Sequence, residues 1–313
     1  MRIVNRRMHN YRMPPVAMAE PPESPEVRAA SWGQGRRLEF VDFRLRWDGR
    51  INRADLTSFF EISVPQASQD IAKYLETAPD NATYDRSAKV YVSTPSFRPL
   101  FPGSSPAKYL DELLARATGV LQPELSFLGW SPTVAVATNP NRSVPADTLS
   151  MLLAAIRQGT VLTIRYQSMS SIQPVKRDID PHALAHDGFR WHVRAYCRVR
   201  ERYLDFVIAR ILGVGATGRP GKSGANDDEW QRMVPLVIAP APSLSAAHKK
   251  VIELDYEMKR GKAAIKCRQA LLFYVLRRLG LLDQHAAPSH VQQIVLKNRD
   301  AIAHLLPKTT GPR

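Results

Sequence analysis

The stretch Gly188-Phe189-Arg190-Trp191-His192-Val193-Arg194-Ala195-Tyr196-Cys197 alternates through its second half. Arg190, His192, Arg194 and Tyr196 fall on one side, and Trp191, Val193 and Ala195 on the other. That period of two belongs to a strand with one packed face. Val161–Tyr166, Val175–Ile179 and Tyr203–Ile208 are further β-rich runs around it. Short strands repeating every roughly 10–15 residues point to a small barrel. Arg165, Arg177 and Arg210 come from the neighbouring runs. Guanidinium groups gathered on one face of a small sheet repel each other unless an anion or an acidic partner sits among them. Arginine forks match phosphate and carboxylate alike. Spacing leaves two readings open: an anionic ligand on this face, or arginines that splay into solvent or pair with Asp178, Asp180 and Asp205.

Upstream, residues 36–98 change period. Leu38, Val41 and Leu45 with Phe40, Phe43 and Trp47 suit a helix with a broad buried face, stopped by Asp48-Gly49-Arg50. Asn52 can cap a second helix carrying Leu56, Phe59 and Phe60. Ser63 can cap a third that runs to about Glu76, with Pro65 in its first turn. Its buried side is Ala67, Ile71, Tyr74 and Leu75; its open side is Gln66, Ser68, Gln69 and Lys73. Pro79 ends it. Thr83–Asp85 and Lys89–Val92 then read as a hairpin around Arg86-Ser87-Ala88. Three helices and a hairpin make a winged helix-turn-helix, whose third helix enters the DNA major groove. Ser63, Gln66, Ser68, Gln69 and Lys73 are then the candidate DNA contacts, since glutamine pairs bidentately with adenine. Arg86 and Lys89 on the hairpin suit phosphates. A small helical bundle with a polar exposed face is the alternative, and the near-neutral charge of the segment favours it.

The remaining segments frame these two. Residues 1–35 hold five prolines and no sustained period, which reads as a disordered arm, with Met18 as an alternative start. Arg2, Arg6, Arg7 and Arg12 there could contact DNA. Residues 99–147, proline-rich at both ends, read as a helical connector. Asp147 can cap a helix over 148–158, stopped by Gly159. Residues 212–229, glycine-rich and then acidic, read as a linker. A strand near Val234, a helix from about Ser245, a strand near Lys262–Lys266 and an apolar helix over 269–279 follow, the last one core or dimer seam.

Composition narrows the classes. The chain has 313 residues, enough for two or three domains. No apolar run approaches the ~18 residues that span a bilayer, and no signal-peptide stretch opens the sequence. Two cysteines, Cys197 and Cys267, make neither a disulfide framework nor a zinc site by themselves. The default expectation is a reducing cytoplasm, no membrane and no cofactor. The net charge of +15 favours polyanionic partners. Residues 148–222 carry 12 basic and 5 acidic side chains and residues 223–313 carry 14 and 8, whereas residues 36–98 carry 10 and 9.

The Gly188–Cys197 run, with Tyr203-Leu204-Asp205-Phe206, Ala209-Arg210-Ile211, Ile164-Arg165-Tyr166 and Asp180-Pro181-His182-Ala183-Leu184, resembles a WYL domain. The chain from about Arg36 is similar to the winged-helix WYL repressors encoded beside bacterial phage-defence systems, such as the BREX- and CBASS-associated regulators. Ala67-Ser68-Gln69-Asp70-Ile71 and Tyr84–Tyr91 fit the same family. The name-giving triplet is Trp191-His192-Val193 here. The resemblance implies an α+β multidomain fold: an N-terminal winged helix-turn-helix (36–98), an Sm-like, SH3-like β-barrel WYL domain (148–222) and a C-terminal α/β dimerisation extension (223–313). It implies a homodimeric repressor on a palindromic double-stranded operator, with DNA affinity set by an anionic ligand, a nucleotide or oligonucleotide, on the barrel face. Mapped by position, Tyr166, Ser168, Arg177, His182, His192, Arg194, Tyr196 and Arg210 are the ligand candidates.

Two other function classes remain. Aromatics beside arginines on a small barrel can stack bases, so an activator or a single-stranded nucleic-acid sensor is the alternative. More distant is a metal-dependent nuclease using His182, His186 and His192 with Asp178, Asp180 and Asp187. Their spacing matches no metal motif, and the two histidines His182 and His186 are expected in a loop. No phosphate-cradling glycine loop or nucleophile elbow is present.

Overall fold

The computed structural model describes residues 25–137, 140, 143–282 and 292–306, with residues 25–32 as helical backbone only. The arginines of the N-terminal arm and Met18 lie outside the described residues. The chain divides into two compact units, residues 1–138 and 139–313.

In the first unit, α1 (Pro25–Trp47) starts well before Arg36. The disordered arm expected over 1–35 is therefore corrected for 25–35. Pro25 opens the helix where no N–H is needed, and Glu26, Arg28, Ala29 and Ala30 are good helix formers that carry it through Gly33 and Gly35. β1 (Arg50–Ile51), α2 (Arg53–Phe60), α3 (Val64–Thr77), β2 (Ala82–Asp85), β3 (Val90–Ser93) and α4 (Pro106–Ala117) follow. Asn52 and Asp55 form a reciprocal capping box on α2. Ser63 Oγ accepts from the Gln66 N–H at the start of α3. The hairpin becomes a three-stranded wing in the order β1-β3-β2, because Arg50-Ile51, expected only as a helix stop, pairs with Val92-Tyr91.

Phe40, Phe43, Leu56, Ala67, Ile71, Tyr74 and Phe127 fill the core of this unit. Phe40 packs against Phe59, Phe60 and Phe127 with ring centroids 4.8, 5.3 and 5.1 Å apart. One buried carboxylate ties the pieces together. Asp42 of α1 accepts from the Tyr74 hydroxyl of α3 (2.7 Å), from Ser104 Oγ (2.5 Å) and from the Leu100 and Phe101 N–H groups. Asn81 donates to Tyr74 in turn. The connector also joins this unit: Glu112 of α4 accepts from Ser126 Oγ and the Phe127 N–H, each at 2.9 Å.

The second unit opens with α5 (Ala146–Gln158), which ends on Gly159 at φ +62, the left-handed position that favours glycine. Asp147 lies in its first turn rather than at the cap, which is Pro145. The strands β4 (Thr160–Tyr166), β5 (Val175–His186), β6 (Trp191–Cys197), β7 (Arg202–Val207) and β8 (Ile211–Pro220) form an antiparallel sheet ordered β7-β6-β5-β4-β8. β8 takes up most of the segment expected as a glycine-rich linker, and His182 and His186 sit in a strand rather than a loop. The two edge strands, β7 and β8, are joined only by the 3-10 turn Ile208–Arg210. The sheet therefore coils back on itself, but no ladder joins β7 to β8. Of the Sm-like barrel expected from the sequence, the described residues give a five-stranded sheet without a closing ladder. Its inner face packs Leu162, Ile164, Ile179, Val193, Ala195, Cys197 and Phe206 against Leu152 and Ala155 of α5.

After the short α6 (Asp228–Gln231) come β9 (Met233–Pro240), α7 (Ala246–Asp255), β10 (Ala263–Arg268), α8 (Leu272–Arg278) and β11 (Ile294–Leu296), with sheet order β10-β9-β11. Leu272 and Leu276 of the apolar helix are buried in the core with Val234, Leu236, Ile238 and Ile252. No helix among the described residues is long and apolar enough to cross a membrane.

Candidate functional site

Two sites take shape, one in each unit. The first is α3 and its wing. Ser63, Gln69 and Lys73 are exposed, and Gln66 and Ser68 are half-buried. Ser68 Oγ donates to the Val64 carbonyl within the helix. Arg86 and Lys89 are exposed at the wing tip, whose turn is held by Asp85 accepting from Ser87 and the Ala88 N–H. Sequence reasoning missed what fixes this helix from beneath. Asp70, fully buried, pairs with Arg37 Nε of α1 at 2.6 Å and accepts from Gln66 Nε2 at 3.1 Å. The amide of Gln66 is therefore tied back to its own helix, and Gln69 keeps an open face. The signal for Asp70 was a lone acid at a core position of an amphipathic helix.

The second site lies on the outer face of the five-stranded sheet. His192, Arg194 and Tyr196 of β6 project from this face, beside Asp205 and Tyr203 of β7, whose registers are Arg194↔Asp205 and Tyr196↔Tyr203. His182 of β5 joins them through Asp227, which its Nε2 meets at 3.0 Å. The other candidates lie elsewhere. Tyr166 belongs to the core and its hydroxyl accepts from the Val207 N–H. Ser168 bonds to Ser170 and Ser171 in the β4–β5 loop. Among the described residues Arg177 reaches only Cys197 Sγ, at 3.9 Å, and Arg210 is in the 3-10 turn between β7 and β8. Arg165, also on the outer face, stands directly across from Lys176, beside Gly213 of β8.

Arg194 is buried and carries three carboxylates. Asp227 grips it in a fork, Nε at 2.7 Å and Nη2 at 3.0 Å; Glu229 meets Nη2 at 2.8 Å; Asp205 meets Nη1 at 3.3 Å. The acidic-partner reading thus holds for Arg194, as it does for Arg198 with Asp180 and Arg219 with Asp178. Asp227 and Glu229 come from the segment expected as a linker, and their signal was three consecutive acids closing a strongly basic stretch. His192 Nε2 meets Asp187 at 3.0 Å and its ring lies 4.9 Å from Tyr274 of α8, whose hydroxyl donates to Asp205. The His192 Nδ1 atom is buried without a partner among the described residues.

These contacts set the charge states. Burial works against the charge of Asp227, but hydrogen bonds from Arg194 and His182 outweigh it and hold the carboxyl below the usual range. At Asp205 burial wins over Arg194, and its pKa is raised. Burial pushes His182 down, leaving it the neutral imidazole near pH 7. Burial opposes Asp187 too, but hydrogen bonds from His192 and the Phe189 and Arg190 N–H groups bring it to about 2.

Beside Arg194 opens a cleft of about 530 Å³ lined by Tyr196, Arg202, Tyr203 and Lys222, with Asp227 and Glu229 on its acidic wall. Lys222 Nζ sits 3.8 Å above the centre of the Tyr196 ring. Glu201 and Asp228 line it as well, so the cleft mixes three cations with four acids. Among the described residues no group of three or more His, Cys, Asp or Glu side chains could hold a metal ion.

Family profiles match along the chain: the BrxR transcriptional regulator winged helix-turn-helix domain over residues 33–115, the WYL domain over 147–215, and the BrxR C-terminal dimerization domain over 233–302. The DNA-binding transcriptional repressor CapW of Pseudomonas aeruginosa is 45% identical over 289 residues, covering 91% of this chain and 96% of that protein. CapW of Escherichia coli (strain KTE188) is 46% identical over 285 residues, covering 89% and 94%. CapW of Stenotrophomonas maltophilia is 39% identical over 297 residues, covering 90% and 99%. Among solved structures, proteasome accessory factor B/C of Arthrobacter aurescens aligns at 18% identity and a TM-score of 0.24, covering 83% of this chain and 47% of its own.

Proposed function

Because the chain belongs to the CapW family of winged-helix WYL regulators, we propose that it is a homodimeric, sequence-specific DNA-binding repressor of the cytoplasm, a regulator rather than an enzyme. The observation that carries this reading is α3. It is capped by Ser63, anchored to α1 through Asp70–Arg37 and Tyr74–Asp42, and leaves Gln69, Lys73 and the Ser63 end open to a groove. Arg86 and Lys89 on the wing supply phosphate contacts. A dimer would present two such helices to a palindromic operator. The test is a footprint on the DNA upstream of its own gene, followed by Gln69→Ala. Loss of a bidentate base contact costs about 1–3 kcal/mol, roughly five- to 150-fold in operator affinity, with little change on random DNA. Equal affinity of parent and variant for the operator refutes the assignment.

The finer part of the proposal is control by an anionic ligand of nucleotide or oligonucleotide type at the cleft beside Arg194. The cations Arg202 and Lys222 next to the rings of Tyr196 and Tyr203 support it. His182, Arg194 and Tyr196 stay in the ligand set, with His192 behind them. Tyr166, Ser168, Arg177 and Arg210 are proposed no longer for direct contact. Such a ligand relieves repression only if it prefers one dimer geometry over the other. Arg202→Gln with Lys222→Gln is expected to preserve operator binding and abolish release by the inducing signal in cells. Normal induction in that variant refutes ligand control at this cleft.

A further inference from the structure

Among the described residues, the buried charge cluster around Arg194 is filled by its own chain. Residues 222–231 run as a strap across the outer face of the sheet. Gly224 lies so close to His182 that an added Cβ would stand 2.5 Å from its ring, and Asp227 is fastened to both His182 and Arg194. Asp227 supplies one forked oxyanion to the Arg194 guanidinium, and Glu229 supplies a second on the shared Nη2. The two carboxylates differ in depth. The Asp227 side chain is 1% exposed and that of Glu229 is 53% exposed, so Glu229 is the one solvent can reach. Both border the open cleft where Arg202 and Lys222 add positive charge.

Two linked acids on one buried guanidinium, at the edge of a cleft that holds Arg202, Lys222 and two tyrosine rings beside Glu201 and Asp228, have the arrangement of a bound diphosphate. Resting on the reading above that an anion enters here, we propose that Asp227 and Glu229 are a built-in stand-in for that anion, and that the ligand carries two linked oxyanions which replace both carboxylates on Arg194. Asp205 stays in place, so Arg194 is never without a partner during the exchange. The exchange starts at Glu229 and finishes at Asp227. It also frees the strap, which leads directly into the dimerisation domain. Arg268 of β10 donates to the Trp230 carbonyl, and the Gln269 N–H donates to the Arg232 carbonyl at 2.9 Å. Occupancy of the cleft is thereby converted into a changed seating of the strap on the end of β10.

The experiment is calorimetric titration of the full-length protein with sodium pyrophosphate and with orthophosphate at matched ionic strength, for the parent, Glu229→Gln and Asp227→Asn/Glu229→Gln. Pyrophosphate is expected to bind more tightly than orthophosphate. Each neutralised carboxylate is expected to tighten pyrophosphate by roughly ten-fold, the equivalent of one charge-assisted hydrogen bond. That gain must vanish when Lys222→Gln is added. Equal pyrophosphate affinity in parent and variants overturns the stand-in while leaving an anion cleft intact. Failure of pyrophosphate to bind any of them overturns the stand-in and the anion reading together. Should the double variant fail to fold, Glu229→Gln decides alone, since its side chain is half exposed and Gln keeps its shape.

Discussion

Replacing Arg194 with methionine keeps much of the side chain's length and removes its charge. The side chain is 4% exposed, and its loss strands Asp227 and Asp205 inside the protein while Glu229 swings to water. Breaking a buried ion pair by removing one partner costs about 3–5 kcal/mol, because the remaining charge is left uncompensated. For a unit of this size each kcal/mol shifts the midpoint by about 2–4 °C, so the melting transition of residues 139–313 should fall by roughly 6–20 °C. Differential scanning calorimetry of the full-length protein at pH 7.5 and pH 4.5 reads this out. The pH arm has a sign. In the parent Asp227 is held below its ordinary pKa, so its contribution is present above the unfolded value and is lost as pH falls. In Arg194→Met the orphaned carboxylates lie above the ordinary range, so protonation restores stability and the gap narrows at pH 4.5. A fall of less than about 2 °C, or a gap that widens in acid, refutes the reasoning. Adding Asp227→Asn and Glu229→Gln to Arg194→Met should recover part of the loss.

Further outcomes follow from the same contacts. Tyr74→Phe removes the hydroxyl that donates to buried Asp42 and should cost the N-terminal unit about 1.5–3 kcal/mol in urea unfolding; a cost below about 0.5 kcal/mol would mean the network is not stabilising. Gly224→Ala forces a Cβ into the His182 ring, so tryptic cleavage at Lys222 should accelerate; unchanged protection would show that the strap does not rest there. Asp187 titrates near 2 when folded, against about 3.9 unfolded, so its stabilisation is full above pH 5 and is lost as pH falls from there toward 2. Asp187→Asn should therefore flatten the acid limb of the stability curve, and an unaltered limb would contradict that assignment.

The winged helix was legible because each of its punctuation marks is local. Asn52, Ser63 and Pro65 act within one helical turn, and the wing turn within five residues. The Asp42–Tyr74–Ser104 network was not legible, because it joins residues whose proximity exists only once α1, α3 and the connector have packed. The strand carrying Arg194 was equally plain from its alternation, whereas its partners were hidden. Alternation says which side chains share a face but not what covers that face, and Asp227 and Glu229 return to it from 33 and 35 residues away. Tyr166 and Arg177 were grouped with Arg194 by position in the resembling family, and the pleat of β4 and β5 sends them to the core side instead. Closure of the barrel was not legible for a related reason. Strand count and spacing are sequence properties, but closure depends on whether the last edge meets the first.

Asp42 has one consequence for how the reading helix is held. A single carboxylate takes hydrogen bonds from α3 and from the loop at 100–104 at once, so movement of either one alone strips donors from a charge in a dry interior. The loop is in effect a lever whose fulcrum is one aspartate. The seat of α3 and the path of the chain into the connector are thus fixed by the same atom pair.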